Sequence, residues 1–168
     1  MAALGHLSVG LAAKRVAPEV PVGYLILGAY MLDILWFAFY PLGLALHTKH
    51  GFDFGIVWTH SLLMATVWSA LATVIARRIA HSTRTGVVFG LMVFSHWLVD
   101  VITHPMSALT PDEGLPLAFY SSPKIGLGMY STMFGVYAGE FGTLAVGIVI
   151  YIFAKRKSRK ESAPAAKA

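Results

Sequence analysis

The chain has 168 residues, 57% of them hydrophobic and 12% charged, about half the charged share of a soluble domain. Its mean hydropathy of +0.67 excludes a small water-soluble domain, because a chain this short cannot hide so much apolar surface. The formal charge is +5 and there is no cysteine, which removes disulfide frameworks and thiolate metal sites.

Taken in chain order, residues 2–13 carry no formal charge, and Gly5, Ser8, Gly10, Ala12 and Ala13 permit close packing. This stretch is short for a span and predicts a helix that is tilted or starts inside the bundle. Lys14 and Arg15 follow it instead of preceding an apolar run, so it does not read as a cleavable signal peptide. The first long apolar run, residues 22–46, is broken only by Asp33 and has Pro41 as a place to bend. Residues 56–76 form a second span without any Asp, Glu, Lys or Arg, and residues 86–103 a third that carries His96 and Asp100. Residues 132–154 form the fourth and carry Glu140, with Gly135 and Gly139 spaced for close helix packing. Lipid forbids open backbone, and these runs are too long and unalternating for barrel strands. The expected fold is therefore an all-α polytopic membrane helix bundle, four long transmembrane helices plus a short N-terminal helix packed into the bundle. Residues 1–160 form a single domain, and 161–168 read as a disordered tail.

Lys and Arg set the orientation. Lys14, Arg15, Arg77, Arg78, Arg84 and the tail cations Lys155, Arg156, Lys157, Arg159, Lys160 and Lys167 fall on one side of the bundle. Only Lys49 and Lys124 fall on the other. The basic tail reads as a topology anchor that also touches anionic membrane lipid, not as a nucleic-acid site. The outer side carries a short loop, 47–55, and a long one, 104–131, which is either a functional loop or a solvated connector. His47, His50 and His81 fall in loops and read as surface residues.

Counting helix rise from the basic rim places the polar residues by depth. His6 is about 12 Å deep, Asp33 about 17 Å, His96 about 18 Å, Glu140 about 22 Å and His60 about 26 Å. Asp100 lies one turn beyond His96. A carboxylate at the bilayer centre costs roughly 2.5–3.5 kcal/mol, and no Lys or Arg lies within the spans to offset it. A divalent cation would, because His and carboxylate are zinc-type ligands. His96 and Asp100 leave the same helix face, as gripping one ion requires. Each residue also has a plainer reading. Asp33 can be a protonated, hydrogen-bonded carboxyl, His60 an interfacial histidine with a wet tip, His6 and Glu140 packing residues.

The elements Gly5-His6, Met31-Leu32-Asp33, Thr59-His60-Ser61 and His96-Trp97-Leu98-Val99-Asp100 together resemble the YdjM-type inner-membrane proteins, a group named for membrane-bound metal-dependent hydrolysis. That group is in turn distantly similar to the bacterial zinc-dependent phospholipases C. The resemblance covers roughly the first hundred residues. It implies that Asp33, His60, His96 and Asp100 hold one Zn²⁺, and that His6 holds a second ion with Asp100 bridging. It also implies a bacterial or archaeal cytoplasmic membrane. Leu32 stands where the family usually has proline, and Val136 stands four residues before Glu140 where the phospholipases carry histidine. The expected function is metal-activated water attacking a lipid-like or membrane-delivered ester or phosphodiester, with Glu140 or Asp33 taking the proton. The alternative is a non-catalytic intramembrane ion or proton pathway. The sequence carries no marker of oligomeric state.

The charge split predicts that the connection bearing Arg77 and Arg84 and the C-terminal tail are cytoplasmic. A reporter that is active only outside the cytoplasm should be silent when fused at residue 160. Activity there would reverse the topology.

Overall fold

The computed structural model describes residues 3–45, 51–104 and 114–161. Helix α1 spans Ala3–Ala12 and runs into a short 3₁₀ turn, Ala13–Arg15. Helices α2 (Val22–Ala29) and α3 (Met31–Ala45) follow, then α4 (Gly51–His60), α5 (Leu62–Ala80) and α6 (Thr83–Thr103). A two-residue ribbon pairs β1 (Leu115–Pro116) antiparallel to β2 (Lys124–Ile125). A 3₁₀ turn, Met129–Ser131, leads into α7 (Met133–Tyr137), a π turn (Ala138–Gly142) and α8 (Thr143–Glu161). The all-α bundle expected from the sequence is the fold observed, with α1 packed within it. Among the described residues three helices are long and apolar enough to cross a membrane, four if α2 and α3 count as one bent span. Large apolar side chains such as Val74, Ile75, Val149 and Phe153 stand half-exposed or more along α5 and α8, which suits helix faces turned to lipid. The chain is an integral membrane protein.

Two expected spans are broken where polar chemistry is needed. The run 22–46 bends by 46° between α2 and α3. The break is at Tyr30, while Pro41 lies inside α3 without ending it. The run 56–76 is not one helix either. It divides at Ser61, so His60 ends α4 and the span proper is α5. Ser61 is extended, and its hydroxyl accepts the Met64 N–H, an N-cap that satisfies one of the first-turn donors. The Leu63 N–H goes to the Leu117 carbonyl at 3.0 Å, so the long outer segment supplies a second partner. The expected loop 47–55 is partly helical, since α4 begins at Gly51. His47, His50 and Lys49 lie outside the described residues, as do Lys167 and the tail from residue 162.

The outer segment, where described, is more than a solvated connector. Leu115 is fully buried with Leu32, Ala65, Val93 and Trp97. The Leu127 N–H donates to the Val101 carbonyl and the Gly128 N–H to that of His104, both at 2.7 Å. His104 itself is extended and ends α6, as the following Pro105 demands.

Helices α5 and α6 form a tight hairpin. His81 turns the corner with φ 49° and is exposed, and Ser82 caps α6 by accepting the Thr85 N–H. Small residues let the two backbones meet: a Cβ on Gly90 would come within 2.7 Å of the Ser69 carbonyl oxygen and collide with the Thr73 hydroxyl. Gly135 and Gly139 serve a different neighbour from the helix expected for them, because they lie against Met129 and Tyr130 of the preceding turn. On the other side of the bundle α1 packs against α8 and α2. The Ser8 hydroxyl donates to the Thr143 carbonyl at 2.5 Å, and Gly147 leaves room for the Ser8 backbone.

Gly90→Ala should therefore lower stability by about 1–3 kcal/mol, the usual cost of overpacking. Gly23→Ala, where an added Cβ meets nothing, should be neutral or slightly stabilising. Thermal unfolding in detergent compares the two, and equal melting temperatures would mean that the hairpin is looser than described.

Candidate metal centre

Five side chains from four helices converge in the interior: His6 from α1, Asp33 from α3, His60 from the end of α4, and His96 and Asp100 from α6. All five are buried, His96 completely. Their grouping has local causes. His96 and Asp100 are one turn apart on one face of α6. His60 reaches the interior because Ser61 ends its helix there. Asp33 sits in the first turn of α3, just past the bend, where a carboxylate favours a helix N-terminus.

Hydrogen bonds behind the imidazoles decide which nitrogens face inward. The Thr59 hydroxyl donates to the Gly55 carbonyl at 2.7 Å. Its one proton is thus used, and at 2.6 Å it must accept from His60 Nδ1–H. On His96, Nδ1 lies 2.7 Å from the Ala29 carbonyl oxygen, which can only accept, so Nδ1 carries the proton. That carbonyl lies in the last turn of α2, where helical partners run out, and the bend at Tyr30 is what makes it accessible. In the neutral rings both Nε2 atoms are consequently lone-pair acceptors. They face each other at 3.1 Å.

Carboxylates surround this pair. Asp33 Oδ1 is 3.4 Å from His60 Nε2 and 3.6 Å from His96 Nε2. Asp100 Oδ2 is 3.3 Å from His96 Nε2 and 3.6 Å from His60 Nε2. Bonds of 2.0–2.2 Å to a tetrahedral ion place neighbouring ligands about 3.3–3.6 Å apart, and the contacts around the two histidines are of that size. The His6 ring stacks on His96 with centroids 3.7 Å apart. Its Nε2 is 3.3 Å from Asp100 Oδ1, but neither atom makes an aligned hydrogen bond, nor does His6 Nδ1. Buried polar atoms left in this state cost about 1–3 kcal/mol each. Among the described residues two three-residue sets are compact enough to hold an ion: Asp33, His60 and His96, and His6, His96 and Asp100. His96 is common to both, and with Nδ1 engaged it has a single nitrogen to offer.

The donors present fit a divalent cation. They are imidazole nitrogens in the ligating tautomer, carboxylates whose charge no Lys or Arg offsets, and acceptors turned toward one another. Glu140 is placed elsewhere: its Oε2 accepts the Leu4 N–H at 2.6 Å. It satisfies an amide in the first turn of α1 and so steadies the helix that carries His6. The Tyr30 hydroxyl ties the same end of α1 by donating to the Ala3 carbonyl. Thr59 and the Ala29 carbonyl are participants that residue-type reasoning passes over. Thr59 stands next to His60 in a polar triplet within an apolar run, which is a usable signal. A backbone carbonyl gives none.

Removing the Thr59 hydroxyl should loosen the His60 tautomer. Thr59→Val should weaken metal affinity by about 10–100-fold, as expected for a partner behind a ligand, while Thr59→Ser retains it. Competition titration with a zinc indicator reads this, and unchanged affinity in Thr59→Val would free His60 from the role.

No family model, curated protein or solved structure matches the chain.

Proposed function

We propose that the protein is a membrane-bound metal-dependent hydrolase acting on a lipid-like or membrane-delivered ester or phosphodiester. The observation that carries this reading is the facing pair of Nε2 acceptors at 3.1 Å, ringed by Asp33 and Asp100. Two lone pairs cannot stay so close in a buried site without a metal ion or a shared proton between them, and the two flanking carboxylates favour the metal ion. Asp33, His60, His96 and Asp100 would hold one Zn²⁺ ion, and His6 with Asp100 would serve a second. An ion so held supplies Lewis acidity, which makes water a nucleophile at neutral pH and polarises the scissile oxygen.

The remaining tasks fall to the chain. Asp33 is the base candidate: it is the most exposed of the five, at 8%, and the Glu140 carboxylate is occupied with α1. His6, stacked on His96, orients the ring that both ligand sets share. The outer segment closes the end of α6 through Val101 and His104 and limits access by bulk water. A pathway for ions finds less support. Between the cluster and the basic rim, α5 offers Ser69 and Thr73, and both hydroxyls are turned onto carbonyls of their own helix. Residues 85–95 of α6 contain no titratable side chain.

His96→Ala and Asp100→Ala should each abolish binding at the shared ion, and the double variant should be little worse than either single one, because the residues act as a unit. A chelator should lower the melting temperature of the wild type, since an ion that binds only the folded state stabilises it by about 2.7 kcal/mol at a hundred times its Kd. It should barely move the two variants, and His81→Ala should behave as wild type. Elemental analysis of purified protein, with chromogenic ester and phosphodiester hydrolysis in mixed micelles, completes the test. Protein free of metal, with fully additive single variants, would mean that a proton joins the two histidines and would return the pathway reading.

A further inference from the structure

A cavity of about 500 Å³ lies between α1, α6 and the junction of the π turn with α8, within the range of small-molecule sites. Its walls are mostly apolar or lack side chains, as at Gly5, Val99, Ile102, Gly142 and Val146, and the hydroxyls of Ser8, Thr103 and Thr143 that also line it are turned onto backbone carbonyls. Two of them adjoin the cluster in sequence, Gly5 beside His6 and Val99 beside Asp100. The cavity opens sideways, because Ile102 is 45% and Val146 59% exposed. Both sit on helices able to cross a membrane, so the medium at that opening is hydrocarbon.

One end is polar. Tyr130 lines the cavity, and the bonds from Leu127 and Gly128 to the end of α6 fix the turn that bears it. Its ring lies over Gly139, where a Cβ would come within 2.5 Å. The hydroxyl is buried and makes no aligned hydrogen bond. Burial, and after it a hydrogen-bonding contact with the Glu140 carboxylate, push this hydroxyl above the ordinary phenol range, so it keeps its proton, which an ester carbonyl would draw away from a poorly aligned contact. Among the described residues no Lys or Arg lines the cavity. A free fatty-acid carboxylate would find no counter-charge there and would face Glu140, whereas an ester carbonyl needs only a neutral donor.

We propose that this cavity takes one acyl chain of a membrane phospholipid, admitted from the bilayer, with the chain's ester carbonyl accepting a hydrogen bond from the Tyr130 hydroxyl. The lipid thereby lies beside Asp100 and His6. Only its role as substrate rests on the hydrolase reading, because the binding itself requires no metal.

The full chain in phosphatidylcholine vesicles containing a diazirine-bearing phosphatidylcholine provides the test, with adducts mapped by mass spectrometry. Wild-type protein should carry adducts on Val99, Ile102 and Val146 beyond those on the outward-facing Val149 and Phe153. A Cβ on Gly142 meets nothing within 4 Å, so Gly142→Leu fills the cavity. It should cut the cavity adducts about tenfold and leave the outward ones unchanged. Tyr130→Phe should lower them about two- to tenfold, the worth of one neutral hydrogen bond. Diazirine palmitate should label the cavity weakly. Cavity adducts no denser than outward ones in the wild type would overturn the proposal without recourse to any variant. Palmitate labelling as strong as that by phospholipid, together with an indifferent Tyr130→Phe, would also overturn it. Chelation should leave the labelling intact, so labelled but metal-free protein would sink the hydrolase reading alone.

Discussion

The contact on which the interior depends is the approach of His60 Nε2 to His96 Nε2 at 3.1 Å. Left neutral, the two nitrogens repel, and repulsion in a low-dielectric interior is strong. The structure holds them together from behind. Thr59 and the Ala29 carbonyl fix the two rings, and each is available because a helix ends nearby, α4 at His60 and α2 at Ala29. Two membrane segments are interrupted so that this pair can meet. Helix breaks within a bilayer are tolerated where freed backbone groups find partners, and here the partners are Ser61, the Leu117 carbonyl and His96 itself.

Around this pair the rest of the bundle supplies charge and closure. Asp33 and Asp100 bring negative charge that nothing but a cation, a proton or the imidazoles can balance. Helix α1 contributes little length but much chemistry, since it places His6 flat against His96. It is held at its start and its middle by groups on distant segments: Glu140 at Leu4, Tyr30 at Ala3 and Thr143 at Ser8. The π turn that contains Glu140 is an irregularity of the kind that clusters at functional positions, and here it lies where α1 docks.

The sequence made the bundle legible because apolar runs of span length have few alternatives in folding. It also made the polar cluster legible, because carboxylates and histidines buried in such runs need a common explanation, and depth counting brought His6, Asp33 and His96 to similar levels. What it hid were the breaks. Ser61 looks like one more small residue in an apolar helix, and Tyr30 carries no mark of a break, whereas Pro41 does and leaves its helix uninterrupted. The contact that Glu140 makes was hidden for a similar reason. Its partner, the Leu4 amide, lies 136 residues away, and no local pattern announces a contact over that distance. The outer segment could not be assigned from its prolines and aromatics, because its main attachments are backbone hydrogen bonds.

The docking of α1 on α8 has a consequence for biosynthesis. Of the helices in this chain, α1 emerges from the ribosome first and α8 last. Until α8 is inserted, α1 lacks the carboxylate that holds Leu4 and the carbonyl that holds Ser8. His6 then has no fixed place, while Asp33, His60, His96 and Asp100 can already assemble. Assembly of the cluster is thus ordered by translation: Asp33, His60, His96 and Asp100 come together first, and His6 joins them once α8 has docked on α1. A product stalled before α8 would leave His6 without its place in the cluster.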